Sequence, residues 1–163
     1  MNPETPVREE TRSARVSPMN ADDACGFCTN ITEGTFDVVA RGTGVIAVLD
    51  RHPINRGHVL VLPTRHAPDL TALHPTEISE MVVVAQRADR AIRNVFGNAV
   101  EGTNLLMSNG AAADQGVPHA HLHVIPRAIG DGYEFREDAS RYPLVPLDAA
   151  ERAALSSELD STN

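Results

Sequence analysis

His119-Ala120-His121-Leu122-His123-Val124-Ile125-Pro126 is the stretch on which the interpretation of this chain turns. Written as a β-strand over residues 119–125, its side chains alternate between faces, so three histidines point one way and Ala120, Leu122 and Val124 the other. The apolar set belongs to a core, and the imidazoles form a row with neighbours roughly 7 Å apart, twice the strand rise. Such a row suits a phosphoryl centre: one imidazole attacks phosphorus, another contacts non-bridging oxygens, and backbone amides complete an oxyanion cradle. Imidazole titrates near neutrality, which leaves a nucleophilic nitrogen available. The same row suits a metal ion, because His-x-His on a strand is a familiar ligand arrangement. Spacing alone leaves these two chemistries evenly matched.

Moving outward, Phe36–Ala40 and Val45–Leu49 are short β-rich runs joined by Arg41-Gly42-Thr43-Gly44, the composition of a hairpin turn. His58–Leu62 is a third strand, opened after Gly57 and closed by Pro63, and its nearly unbroken apolar run implies burial on both faces. Residues 75–96 carry Ile78, Met81, Val82, Ala85, Ala88, Ile92, Val95 and Phe96 at spacings of three and four, which predicts one long helix. Pro75 suits its first position and Gly97 its exit. Thr103–Met107 is a fourth strand, and Asn109–Gly116 a loop of small residues. Asp148 and Glu151 have capping-box spacing for a short helix through Leu159. Strands, one helix, strands and a tail read as an α+β fold on an antiparallel sheet.

Residues 1–21 are polar, without the apolar stretch of a signal peptide, and are expected to form a disordered leader. Residues 22–132 are expected to be the domain and 133–163 a tail carrying the short helix. The chain has 163 residues, enough for one ordinary domain, and 42% are hydrophobic, enough for a core. A formal net charge of -8 argues against polymeric nucleic acid and anionic membranes as partners, while a small anion can still find a locally positive pocket. No apolar run approaches the roughly 20 residues of a membrane span, so a cytoplasmic setting is expected. The two cysteines, Cys25 and Cys28, are too close to staple a domain and read as a metal half-site or a redox pair. The redox reading requires a βαβ unit with a helix opening at the second cysteine, and none is expected here.

With the triad set beside Gly57-His58-Val59-Leu60-Val61-Leu62-Pro63 and Arg65-His66, the chain resembles the histidine-triad (HIT) superfamily. Residues 119–125 match every position of its His-φ-His-φ-His-φ-φ signature, with φ apolar, and Asn109-Gly110 and Gln115 also fit. The resemblance covers Cys25 to Gly132 and favours phosphorus chemistry over the metal centre. It implies a five-stranded antiparallel sheet with one long helix, a homodimer, and a nucleotide pocket on each protomer. It further implies release of a nucleoside monophosphate from dinucleoside polyphosphates, nucleoside phosphoramidates or related compounds, through a nucleotidyl-histidine and without an organic cofactor. His121 then matches the nucleophile, His123 the phosphate contact, and His119 a supporting position. His58 matches a fourth histidine near the site, Asp50 a ribose-binding acid, and Gln115 a phosphate-side contact. Cys25, Cys28, His66 and His119 match a structural zinc set, closed and tetrahedral in donor count.

Departures from the family pattern fall in the phosphate loop. Ser108 stands where many members have Asn, Asp114 where Gly is usual, and Gly116 where a Ser or Thr hydroxyl faces the leaving group. Ser108 and Gly116 are nonetheless counted among the substrate-binding positions. These changes frame the alternative of a nucleotide-binding protein without efficient chemistry. A third alternative is a hydrolase whose triad holds a catalytic ion. His52 and His74, each followed by Pro, read as structural.

Overall fold

The computed structural model describes residues 25–135, 140 and 145–161; the expected leader at 1–21 lies outside them. The helix α1 (Gly26–Glu33) opens the described chain, followed by strands β1 (Val38–Arg41), β2 (Val45–Leu49) and β3 (Val59–Pro63). The long helix α2 (Pro75–Phe96) leads to β4 (Gly102–Leu106) and β5 (Leu122–Arg127). The five strands form one sheet in the order β1-β2-β3-β5-β4, antiparallel at every pairing. This is the expected α+β architecture of an antiparallel five-stranded sheet with one long helix. No described helix is long and apolar enough to cross a membrane.

The sheet is covered differently on its two faces. On one, Val45, Ala47, Val59, Val61 and Val124 pack under α2, which contributes Met81, Val84, Ala85 and Ile92. Val84 takes a core place, whereas Val82 and Val95 of the expected stripe lie exposed; Val82 is a 100° step from Met81 and lands on the helix shoulder. On the other face, Ile46, Val48, Leu60 and Leu62 meet Phe27, Ile31, Phe36 and Val38. All five residues of β3 are buried, because it is central and covered from both sides. At its entry Gly57 holds φ at +91°, and a Cβ there would stand 2.7 Å from Phe96 Cε2, so only glycine lets the chain pass.

The final strand is shorter than expected. It begins at Leu122, so His119, Ala120 and His121 precede it in irregular backbone. The ladder to β3 runs Val59↔Val124, Leu60↔His123, Val61↔Leu122 and stops before Pro63. Proline has no N–H to continue it, and Pro63 O lies 3.0 Å from His119 Nε2 instead. Ala120 N–H meanwhile donates to Ala67 O at 2.6 Å, tying the triad backbone to the segment after β3. The alternation survives this departure: Ala120 and Val124 lie in the α2-side core with Leu122 packed against it.

The sheet unit extends to Asp131, and a second unit begins at Gly132. In the latter, α3 (Ala149–Ser161) is opened by a reciprocal capping box. Glu151 Oε2 accepts from Asp148 N–H and Asp148 Oδ1 from Glu151 N–H, each at 2.8 Å.

Candidate functional site

The triad histidines divide between two clusters. His119, wholly buried, directs Nδ1 to the cysteines, 3.5 Å from Cys25 Sγ and 3.4 Å from Cys28 Sγ. His66 Nδ1 lies 3.4 Å from Cys28 Sγ. One ligand atom from each of Cys25, Cys28, His66 and His119 falls within 4.8 Å of every other. Since Pro63 O can only accept, His119 Nε2 carries the ring proton and Nδ1 presents its lone pair to the sulfurs. That tautomer, fixed by a backbone carbonyl on the far nitrogen, is the one a metal-binding histidine requires. Two thiols and two imidazoles so arranged fit zinc. A helix, α1, opens directly after Cys25, but every strand pairing is antiparallel and no βαβ unit surrounds the cysteines among the described residues. The two histidines at the sulfurs favour a metal half-site over a redox pair.

His121 belongs to the second cluster. Its Nδ1 lies 2.6 Å from the carbonyl oxygen of His119. That oxygen can only accept, so Nδ1 holds the proton and Nε2 has a free lone pair. The ring sits between Phe27, at 5.2 Å between centroids, and His123, at 4.8 Å. His119 therefore links the clusters: its side chain reaches the cysteines and its carbonyl orients His121.

His123 faces the Phe27 side of the sheet, opposite Leu60 on one neighbour and Leu106 on the other. Its Nδ1 meets His58 Nε2 at 2.9 Å. His58, 2% exposed, receives the Ile54 N–H at Nδ1 (3.3 Å). A backbone amide can only donate, so the neutral His58 carries its proton on Nε2 and gives it to His123 Nδ1. His123 then carries its own proton on Nε2. Asp50 Oδ2 lies 3.3 Å from the same His58 Nδ1, and its Oδ1 accepts the His52 N–H at 2.8 Å. Burial lowers the His58 pKa, against an upward pull from Asp50, with a further downward contribution from the charge of His121. Burial, followed by the charges of His121 and His58, lowers the pKa of His123 to about 4. Both rings are thus neutral near pH 7. Asn55 holds the loop that carries these contacts, its Nδ2 donating to Pro126 O and Asp131 Oδ2, each at 2.8 Å.

The structure gathers Asp50, His58, His121 and His123 at one place, and Cys25, Cys28, His66 and His119 at the adjoining one. The substrate-side loop residues are placed differently. Gln115 turns its amide to the loop backbone, accepting from Gly110 N–H at 2.7 Å and donating to Pro68 O at 2.6 Å. Ser108 is half-buried and Gly116 exposed in the connection before the triad. Asp114 is exposed and is the one described non-glycine residue with positive φ, 62°. His74 precedes α2, where its N–H donates to Glu77 Oε2 at 2.8 Å. Phe27 and Ile54 escaped the sequence reading. An aromatic residue inside the Cys-x-x-Cys was the available signal for Phe27; the backbone amide of Ile54 leaves none.

The HIT domain family matches residues 32–129. A HIT-like protein of Mycobacterium tuberculosis is 39% identical over 124 residues, which are 72% of this chain and 85% of that protein. The AP-4-A phosphorylase of the same species is 40% identical over 95 residues, 58% of this chain and 48% of the enzyme, so the match spans about half of the enzyme's length. Among solved structures, a Zn-bound histidine triad family protein from Mycobacterium smegmatis has a TM-score of 0.63 at 34% identity, covering 87% of this chain and 99% of that one.

Proposed function

The chain belongs to the HIT domain family, and from that membership we propose that it cleaves a nucleoside monophosphate from dinucleoside polyphosphates, nucleoside phosphoramidates or similar compounds through a nucleotidyl-histidine intermediate. The observation that carries this reading is the 2.6 Å contact of His121 Nδ1 with the His119 carbonyl. It leaves Nε2 of a nearly buried imidazole unprotonated and oriented for attack. In the first step the His121 Nε2–phosphorus bond forms as the bond to the leaving group breaks, and the leaving group takes that electron pair. In the second, water or another acceptor attacks phosphorus, loses its proton, and returns the electron pair to Nε2. His123 Nε2–H donates to a non-bridging oxygen, where negative charge is shared in the transition state.

Asp50 offers acceptor oxygens to the ribose hydroxyls, and His58 aligns His123 from behind. Ser108, Gln115 and Gly116 line the approach to phosphate, with Gln115 acting through the shape of its loop. Cys25, Cys28, His66 and His119 hold zinc, which supplies a structural cross-link between α1 and the triad backbone. The same reading carries a homodimer with one pocket per protomer and a cytoplasmic setting.

A catalytic ion held by the three triad histidines has little support, since His119 turns to the cysteines and His58 and His123 bond to each other. The test is a panel of dinucleoside polyphosphates, adenylated amines and nucleotide sugars assayed with the native chain and His121→Ala. Turnover of at least one class by the native protein alone is expected. Equal turnover by the variant excludes the mechanism, and tight nucleotide binding without turnover by either protein favours a binding role.

A further inference from the structure

The bond to the His119 carbonyl fixes one atom of the His121 ring, and the ring can still tilt about the line of that bond. An in-line attack requires the opposite atom, Nε2, to be held within a narrow cone. Two neighbours limit the tilt. His123 is one, at 4.8 Å and 62° between ring planes. The other is Phe27, at 5.2 Å and 72°, a T-shaped contact of the kind aromatic rings prefer.

Phe27 is itself held from three sides. It lies between Cys25 and Cys28 in the first turn of α1, so it moves with the pair of sulfurs that face His119. Its ring stands 5.9 Å from that of His119 and 5.5 Å from that of Phe36, nearly perpendicular to the latter. Phe36 is covered in turn by the Arg51 guanidinium, 5.9 Å from its centroid, whose Nη2 donates to Thr35 O at 2.5 Å. An aromatic and cationic series, Arg51 to Phe36 to Phe27 to His121, therefore ends on the side of the nucleophile's imidazole.

We propose that Phe27 is a positioning residue for His121, holding the attacking imidazole at the tilt the reaction needs and tying that tilt to the cysteine pair on either side of it. The kinetic part of this proposal rests on His121 being the nucleophile; the structural part does not. Leucine at position 27 keeps apolar bulk against Ile46, Val48, Leu60 and Leu62 and loses the ring that meets the imidazole. Alanine at Ile31, on the same helix and in the same apolar cluster, removes packing of comparable size.

The experiment uses the full chain as purified, with Phe27→Leu and Ile31→Ala beside the native protein. The imidazole nitrogens of His121 are followed by two-dimensional nitrogen–carbon NMR, and kcat and KM are measured with diadenosine tetraphosphate. In the native chain His121 is expected to show one set of signals with the proton on Nδ1. Phe27→Leu is expected to broaden or shift that set and to lower kcat about tenfold, with KM changed less than about twofold, because a misdirected nucleophile costs rate rather than affinity. Metal content measured in parallel is expected to be unchanged, and Ile31→Ala is expected to keep the native His121 signals. An unaltered His121 signature in Phe27→Leu overturns the proposal, whatever the kinetics. So does a rise in KM at constant kcat, which would make Phe27 a substrate contact. Absence of turnover in the native chain would remove diadenosine tetraphosphate from the proposed substrates, and the NMR comparison would still decide the role of Phe27.

Discussion

Replacing His123 with glutamine should flatten the acid side of the protein's stability curve. The native state holds His123 at a pKa of about 4, whereas the unfolded chain titrates near the ordinary 6.5. Between those values the unfolded state binds a proton that the folded state excludes. Stability therefore falls as pH drops from about 6.5 to about 4, and this contribution is absent above that window and complete below it. The full difference corresponds to about 3 kcal/mol at 1.36 kcal/mol per pK unit. The ring is partly solvated, and screening reduces the figure to ~2 kcal/mol. A glutamine side chain at this position would not titrate, and its amide oxygen can still accept the proton of His58 Nε2. The assay is urea unfolding of the native chain and His123→Gln from pH 7.5 to 4. The native chain should lose about 2 kcal/mol more than the variant over that range, with the curves converging toward neutrality. Parallel curves would refute the burial of a neutral imidazole at this site.

Two further perturbations test neighbouring parts of the site. Asp114 occupies left-handed backbone that favours glycine, so Asp114→Gly should stabilise the chain by about 0.5–1 kcal/mol in thermal unfolding. It should also lower KM for an anionic substrate by removing a like charge; a loss of stability would show that the Asp114 side chain makes a contact worth more than the strain. Cys28 Sγ approaches both His66 and His119, so Cys28→Ala should abolish bound zinc by elemental analysis. It should also cost roughly 4 kcal/mol, a size associated with loss of a metal site. Full stability in that variant would exclude zinc as a support of the fold.

The parts of this fold legible in the sequence are those set by local periodicity. β3 reads directly because a central strand is apolar at every position, and α2 because its stripe, Pro75 and Gly97 agree. The triad's alternation likewise places Ala120 and Val124 in the core. The features that did not read depend on distant partners. β5 starts at Leu122, with only His123 of the triad on it, because Pro63, on a neighbouring strand, cannot donate. α1 has no fully buried residue and no side-chain hydrogen bond at its N-cap, Cys25, and its core-facing pair, Phe27 and Ile31, is too short a stripe to announce a helix. The proton on His121 is set by a carbonyl two residues back, and that of His58 by the Ile54 amide; residue types alone report neither. Gln115 is conspicuous in sequence, yet its amide supports the loop backbone.

The central claim is that Nε2 of His121 becomes bonded to phosphorus. Rapid acid-free quenching of the native chain with a dinucleoside polyphosphate, followed by intact-mass and peptide mapping, tests it most directly. A single nucleotidyl adduct is expected on the peptide carrying His121, acid-labile as a phosphoramidate should be, and absent from His121→Ala. Turnover without any adduct, or an adduct on a residue other than His121, would contradict it.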